Sequence, residues 1–176
     1  IWRNNMKAAL WYGREDVRLE DIKEPEVTAG SVKIKVKWCG ICGSDLHEYL
    51  GGPIFIPQGT PHPISGCVAP VVLGHEFSGE ITEVGEGVAG LEIGDRVAVE
   101  PIVACGTCAA CLEGKYNLCS SLGFHGLCGG GGGFAEYTVF PAKFVHKIPD
   151  GLSYEKAALI EPIAVAVHSL RTGRFL

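Results

Sequence analysis

Four cysteines stand within 15 residues, Cys105, Cys108, Cys111 and Cys119, in the spacing C-x2-C-x2-C-x7-C. Four thiolates can surround one tetrahedral zinc at about 2.3 Å each, and such a site is closed and structural. A disulfide framework is the rival reading. Such frameworks belong to secreted chains, and no secretory leader is read at the start of this one, so zinc is the expectation. A closed site leaves no position for a substrate. Chemistry would have to come from a second centre.

Cys42, His75, Glu76 and Glu161 stand at predicted element boundaries and carry the right donors for that centre. Three protein ligands and an open fourth position make a catalytic zinc, which polarises oxygen and lowers its pKa. Spacing alone does not decide the matter. Cys42 also fits a buried apolar cysteine, and His75 a satisfied core histidine.

The elements that would position these residues read mainly as short strands. Lys7–Trp11 and Val17–Asp21 form a predicted strand pair across a turn containing Gly13. In 31–38 strict alternation sets Val32, Ile34, Val36 and Trp38 on one face and lysines on the other, the mark of a half-buried antiparallel strand. Trp38 is expected to pack in the barrel, with lining of a pocket beside Cys42 as the alternative. That strand runs into Cys39-Gly-Ile-Cys42-Gly-Ser44-Asp45-Leu-His47 and a short helix, placing polar groups at a strand end. Residues 51–70 read as a long loop holding Pro53, Pro57, Pro61, Pro63 and Pro70. Further strands are expected over 77–84 and 95–100.

Gly85-Glu-Gly87-Val-Ala-Gly90 matches the letters of a dinucleotide fingerprint, but it leads into a strand rather than a helix and is read as a turn. Gly129–Gly133 is likewise read as a permissive turn before a strand rather than a phosphate cradle, because no helix N-terminus follows. Ser153 suits the N-cap of a short helix through Leu159. Pro162 suits the first position of a helix over 162–171, with Gly173 at its end. His62 reads as a loop residue, His125, His146 and His168 as structural, and Cys39, Cys67 and Cys128 as free thiols.

Hydrophobic content of 47%, charged content of 20% and 25 glycines describe a globular chain of many short strands and tight turns. Net charge is −5 and no Lys/Arg run exceeds two, which argues against nucleic acid and anionic membrane as partners. The apolar runs are too short to span a bilayer. The cytoplasm, where thiols stay reduced and open to metal, is the expected compartment. Residues 1–5 precede the only methionine, Met6, and are read as an upstream or vector-derived extension. One domain is expected over 6–176, with the zinc lobe at 101–124 inside it.

Cys39-Gly-Ile-Cys-Gly-Ser-Asp-Leu-His47, Gly74-His-Glu76, Gly94-Asp-Arg-Val97, the four-cysteine lobe and Glu161-Pro162 together resemble the zinc-dependent medium-chain alcohol dehydrogenases. Within them the chain is similar to the 2,3-butanediol dehydrogenases of the polyol branch, through 36–57 and Gly129–Phe134. The resemblance implies a GroES-like β-barrel catalytic domain, mainly β with short helices. It implies Cys42, His75 and Glu161 as catalytic zinc ligands, with Glu76 a neighbouring carboxylate able to exchange onto the metal. Ser44 and His47 match proton-relay positions, and Cys105, Cys108, Cys111 and Cys119 match the structural zinc lobe.

The implied activity is oxidation of a secondary alcohol or vicinal diol, with hydride passing to NAD, two zincs per chain and a homo-oligomer. A sorbitol-like or threonine-like dehydrogenase is the alternative substrate class, and a non-catalytic zinc-binding domain the alternative for the isolated piece. The family's Rossmann domain is absent from the sequence. The chain is therefore expected to be a catalytic-domain fragment, inactive alone, with NAD bound only by the full-length enzyme.

Overall fold

A computed structural model describes residues 5–175. The strands β1 (Asn5–Gly13) and β2 (Asp16–Lys23) pair antiparallel, and β4 (Val71–Val72) adds to the other side of β1. Asn5 already pairs with Lys23, so the strand opens one residue ahead of Met6; the rest of the expected 1–5 extension lies outside the described residues.

The second sheet has the order β10-β6-β5-β3-β9, formed by β3 (Ser31–Gly40), β5 (Glu76–Val84), β6 (Arg96–Val99), β9 (Tyr137–Pro141) and β10 (Val145–Lys147). All its pairings are antiparallel. A small ribbon of β7 (Ile102–Val103) and β8 (Gly123–Phe124) closes the base of the cysteine lobe. Among the described residues there is no parallel strand pair, so no βαβ unit. The core of the larger sheet is Val32, Ile34, Phe77, Ile81, Val97 and Phe140, all nearly or fully buried. Each such side chain contributes about 1.5–3 kcal/mol by leaving water.

The alternation expected through β3 holds only at first. Val32 and Ile34 are fully buried, and Lys33 on the other face is paired with Glu24 at 3.0 Å. Then Val36 pairs with Gly79 and Trp38 with Ser78, leaving Lys37 as an extra residue. A bulge of this kind reverses the faces beyond it. Trp38 is 53% exposed rather than packed in the barrel, and Cys39 turns toward the core in its place.

β3 ends at the helix α1 (Gly43–Gly51), whose burial is inverted. Its buried residues are Asp45 and Glu48, while Leu46, Tyr49 and Leu50 are exposed. Glu48 is fully buried. Its carboxylate accepts the backbone N–H groups of Ile54 (3.0 Å), Phe55 and Ile56 (3.2 Å), and its carbonyl accepts from Trp11 Nε1 at 3.1 Å. One buried acid thus fixes the start of the proline-rich loop.

The Gly85–Gly90 stretch is the turn between β5 and β6, as its sequel predicted. Near the C-terminus, α3 (Tyr154–Ala158) is capped by Ser153, whose hydroxyl accepts from the Lys156 N–H at 3.3 Å. The next helix, α4 (Ile160–Thr172), has Gly173 at its C-cap and buries none of its residues.

Candidate metal centres and the site between strand ends

The lobe between β7 and β8 contains α2 (Ala109–Leu112) and a 3-10 turn at Tyr116–Leu118. It gathers the sulfurs of Cys105, Cys108, Cys111 and Cys119 to within 4.8 Å of one another. A tetrahedron built on ~2.3 Å zinc–sulfur bonds has an edge of ~3.8 Å. Cys105 and Cys111 Sγ lie 3.9 Å apart. Backbone amides point at the sulfurs: Cys108 N–H donates to Cys105 Sγ at 3.3 Å, and Cys105 N–H to Cys119 Sγ at 3.3 Å. The amides of Thr107 and Cys108 pull the Cys105 thiol down to about 6, which favours the thiolate a metal needs. Burial and the thiol of Cys108 push Cys111 up to about 12. Donor type, spacing and amide support all fit a closed four-thiolate metal site.

The second group is assembled by strand register. Antiparallel pairing sets Gly40, at the end of β3, opposite Glu76, at the start of β5. The residues just past one strand end and just before the other strand start therefore meet. The donor atoms of Cys42, His75 and Glu76 lie within 4.8 Å of one another. A Cβ on Gly40 would lie against the Glu76 carboxylate, so glycine here leaves that side chain its place. Three donors of thiolate, imidazole and carboxylate type, one short of a closed tetrahedral set, fit a catalytic rather than a structural metal.

His75 is 5% exposed and is held from two sides. Its Nδ1 lies 3.7 Å from Asp45 Oδ1, and neither atom has another partner. Burial raises the Asp45 carboxyl, while its other oxygen accepts the Cys42 N–H at 2.9 Å. On the other side, Ser44 Oγ is 3.2 Å from His75 Nε2. His47 follows Ser44 by three positions on α1, on the same helix face, and is exposed. Asp45 was not singled out by the sequence reading. Its signal is an acid at the third position of a helix whose N-cap is a candidate ligand, buried on the side where an apolar residue belongs.

Glu161, in the first turn of α4, does not join the three-donor group. It stands near enough to Glu76 for that charge to act on it. Burial first, and Glu76 second, raise its carboxyl to about 7. Glu161 also lines a mostly apolar cavity of about 470 Å³, together with Val99, Ile102, Tyr116, Phe124 and Val165. His146 and His168 line the same cavity and hold no ligand position. His62 belongs to the loop as predicted, yet it is 9% exposed, with its Nδ1 accepting from Ser65. His125 is fully enclosed, bonded to Thr138 Oγ1 at 2.6 Å, and burial pulls it down to about 3.

Residues 28–150 match the alcohol dehydrogenase GroES-like domain family, and the chain belongs to that family. It is 57% identical over 169 residues to the (R,R)-butanediol dehydrogenase of Bacillus subtilis (strain 168), covering 96% of this chain and 48% of that protein. It is 49% identical over 170 residues to the (R,R)-butanediol dehydrogenase of Neisseria gonorrhoeae (strain ATCC 700825 / FA 1090), with the same coverage of both chains. The crystal structure of 2R,3R-butanediol dehydrogenase from Bacillus subtilis superposes with a TM-score of 0.88 at 59% identity, covering 94% of this chain and 47% of that one. The chain spans about half the length of the curated relatives it matches. No described helix is long and apolar enough to cross a membrane.

Proposed function

We propose that this chain is the zinc-bearing, substrate-binding part of a dehydrogenase that oxidises a secondary alcohol or vicinal diol of the 2,3-butanediol type, with NAD as hydride acceptor. The observation that carries the reading is the convergence of Cys42, His75 and Glu76, with Ser44 and Asp45 on either side of the histidine ring. The similarity to butanediol dehydrogenases supports the substrate class.

Zinc held by Cys42 and His75, with Glu76 or Glu161 as the carboxylate, would supply a Lewis acid that favours ionisation of a substrate hydroxyl. The residues around it have separable tasks. Asp45 keeps the proton of His75 on Nδ1, so that Nε2 presents its lone pair. The anionic side chains of Cys42 and of one glutamate offset the charge of a divalent ion. Ser44 stands at the ligand histidine, where its hydroxyl can take a proton from a substrate oxygen and pass it toward His47. His47, exposed to solvent, returns the proton to water. No parallel strand pair of the kind that frames a dinucleotide site occurs among the described residues, so these 176 residues by themselves are expected to bind metal without turning over.

Metal count per chain by native mass spectrometry, with Cys42→Ala beside the wild type, tests this. Two zincs falling to one in the variant are expected. One zinc in both would remove the second centre and the proposal with it. Diol oxidation by the purified 176 residues with NAD⁺ would refute their dependence on a separate cofactor domain.

A further inference from the structure

The glycine run was expected to be a permissive turn, and its surroundings say otherwise. Only Gly130 is open, with φ +88° and nothing within 4 Å of where a Cβ would stand. The other glycines from Gly126 to Gly133 press against named atoms. A Cβ on Gly132 would lie 2.6 Å from the Val72 carbonyl oxygen and closer still to that of Leu73. One on Gly126 would strike the Gly74 carbonyl, and one on Gly131 would lie 2.5 Å from His125 Cε1. Two hydrogen bonds tie the same surfaces together: Gly133 N–H donates to the Gly74 carbonyl at 2.7 Å, and Phe134 N–H to that of Leu73 at 2.9 Å. Gly74 itself has φ +90°, a left-handed turn directly before His75.

The contacts converge on three consecutive residues, Val72, Leu73 and Gly74, which deliver the metal-binding histidine. We infer that the glycine run is a positioning element for the second metal centre: it clamps the 72–74 backbone by close approach and so fixes where the His75 ring stands relative to Cys42. Buried His125 anchors the run from behind, wrapped by Gly129 and Gly131 and bonded to Thr138. A backbone displaced by a methyl group moves the imidazole by a comparable distance, and metal sites need their ligands within about 0.5 Å of productive geometry. This inference rests on the proposal that His75 holds a metal.

Two alanine variants separate clamping from backbone strain. Gly130→Ala imposes an unfavourable φ but meets no neighbour. Gly132→Ala has no positive φ and meets two carbonyls. Cobalt(II) titration followed by absorption distinguishes a four-thiolate site from one with a single thiolate, and the lobe serves as an internal marker of folding. Two cobalts are expected in the wild type and in Gly130→Ala. In Gly132→Ala the four-thiolate spectrum should persist, while the second site weakens by ~10-fold or more.

Equal second-site affinity in Gly132→Ala and wild type overturns the clamp. A wild type that binds cobalt only in the lobe overturns instead the metal centre on which the clamp rests. Should Gly132→Ala lose the lobe spectrum as well, Thr138→Val decides. It removes the His125 hydrogen bond without adding bulk, and it should weaken the second site alone. No change there overturns the inference.

Discussion

Asp45→Asn is the sharpest test of how the second centre is held. The carboxylate has two tasks: one oxygen accepts the Cys42 N–H at 2.9 Å, and the other lies 3.7 Å from His75 Nδ1. Asparagine keeps one oxygen and replaces the other with a donor. If the amide nitrogen faces His75, Nδ1 must become the acceptor, and the ring proton moves to the nitrogen that should face the metal. If the amide flips, its donor meets the Cys42 N–H and the cap of α1 is lost. The flipped arrangement forfeits the Cys42 hydrogen bond to a carboxylate, about 1.5–3 kcal/mol, and the other loses the charge facing the ring at 3.7 Å. Loss of an outer partner of a metal-binding histidine typically lowers affinity 10–100-fold, about 1.4–2.7 kcal/mol. A 10–100-fold weaker second site is therefore expected. The assay is competition with a chromophoric chelator, with the four-cysteine lobe as reference because Asp45 does not touch it. Second-site affinity within twofold of wild type, with the lobe intact, would refute the argument that Asp45 sets the tautomer of His75.

Two further outcomes follow from groups with unusual surroundings. In the metal-free chain, burial and the nearby Glu76 charge raise the Glu161 carboxyl to about 7 when folded, above the ordinary 4.5 of a glutamate. Between those values the folded state binds more protons than the unfolded one, so its contribution to stability is present at low pH and is lost as pH rises toward 7. Metal-free Glu161→Gln should therefore match wild type in urea midpoint near pH 4 and exceed it at pH 8; equal midpoints at both would refute the shift. On α4, Ile163, Val165 and Leu170 are 55%, 59% and 42% exposed. The isolated chain should self-associate through this apolar face, and sedimentation velocity showing a monomer at high concentration would count against it.

Much of this was legible in the sequence, and the failures have physical causes. The cysteine lobe is local, so its spacing alone announced it. Cys42 and His75 are far apart in sequence and meet only because Gly40 pairs with Glu76, a register that no local pattern encodes. For that reason donor type and position alone left them undecided between ligands and core residues, and the resemblance to a family was needed to favour the metal. Trp38 was misplaced because alternation assumes an unbroken strand, and the extra Lys37 reverses every face beyond it.

Asp45 and Glu48 escaped notice because a pattern that looks for apolar residues inside a helix treats buried acids as surface. Here one acid orients a ligand and the other holds a loop. The glycine run was misjudged for a related reason. Sequence shows that glycine permits unusual φ values, whereas at Gly132 the requirement is the absence of a Cβ beside the Leu73 and Val72 carbonyls. Asp45 and Gly132 lie behind the ligands, and Glu48 behind the loop. Ligands are recognisable by donor chemistry, but their supports can be any residue that fits the space behind them, so only coordinates reveal which ones they are.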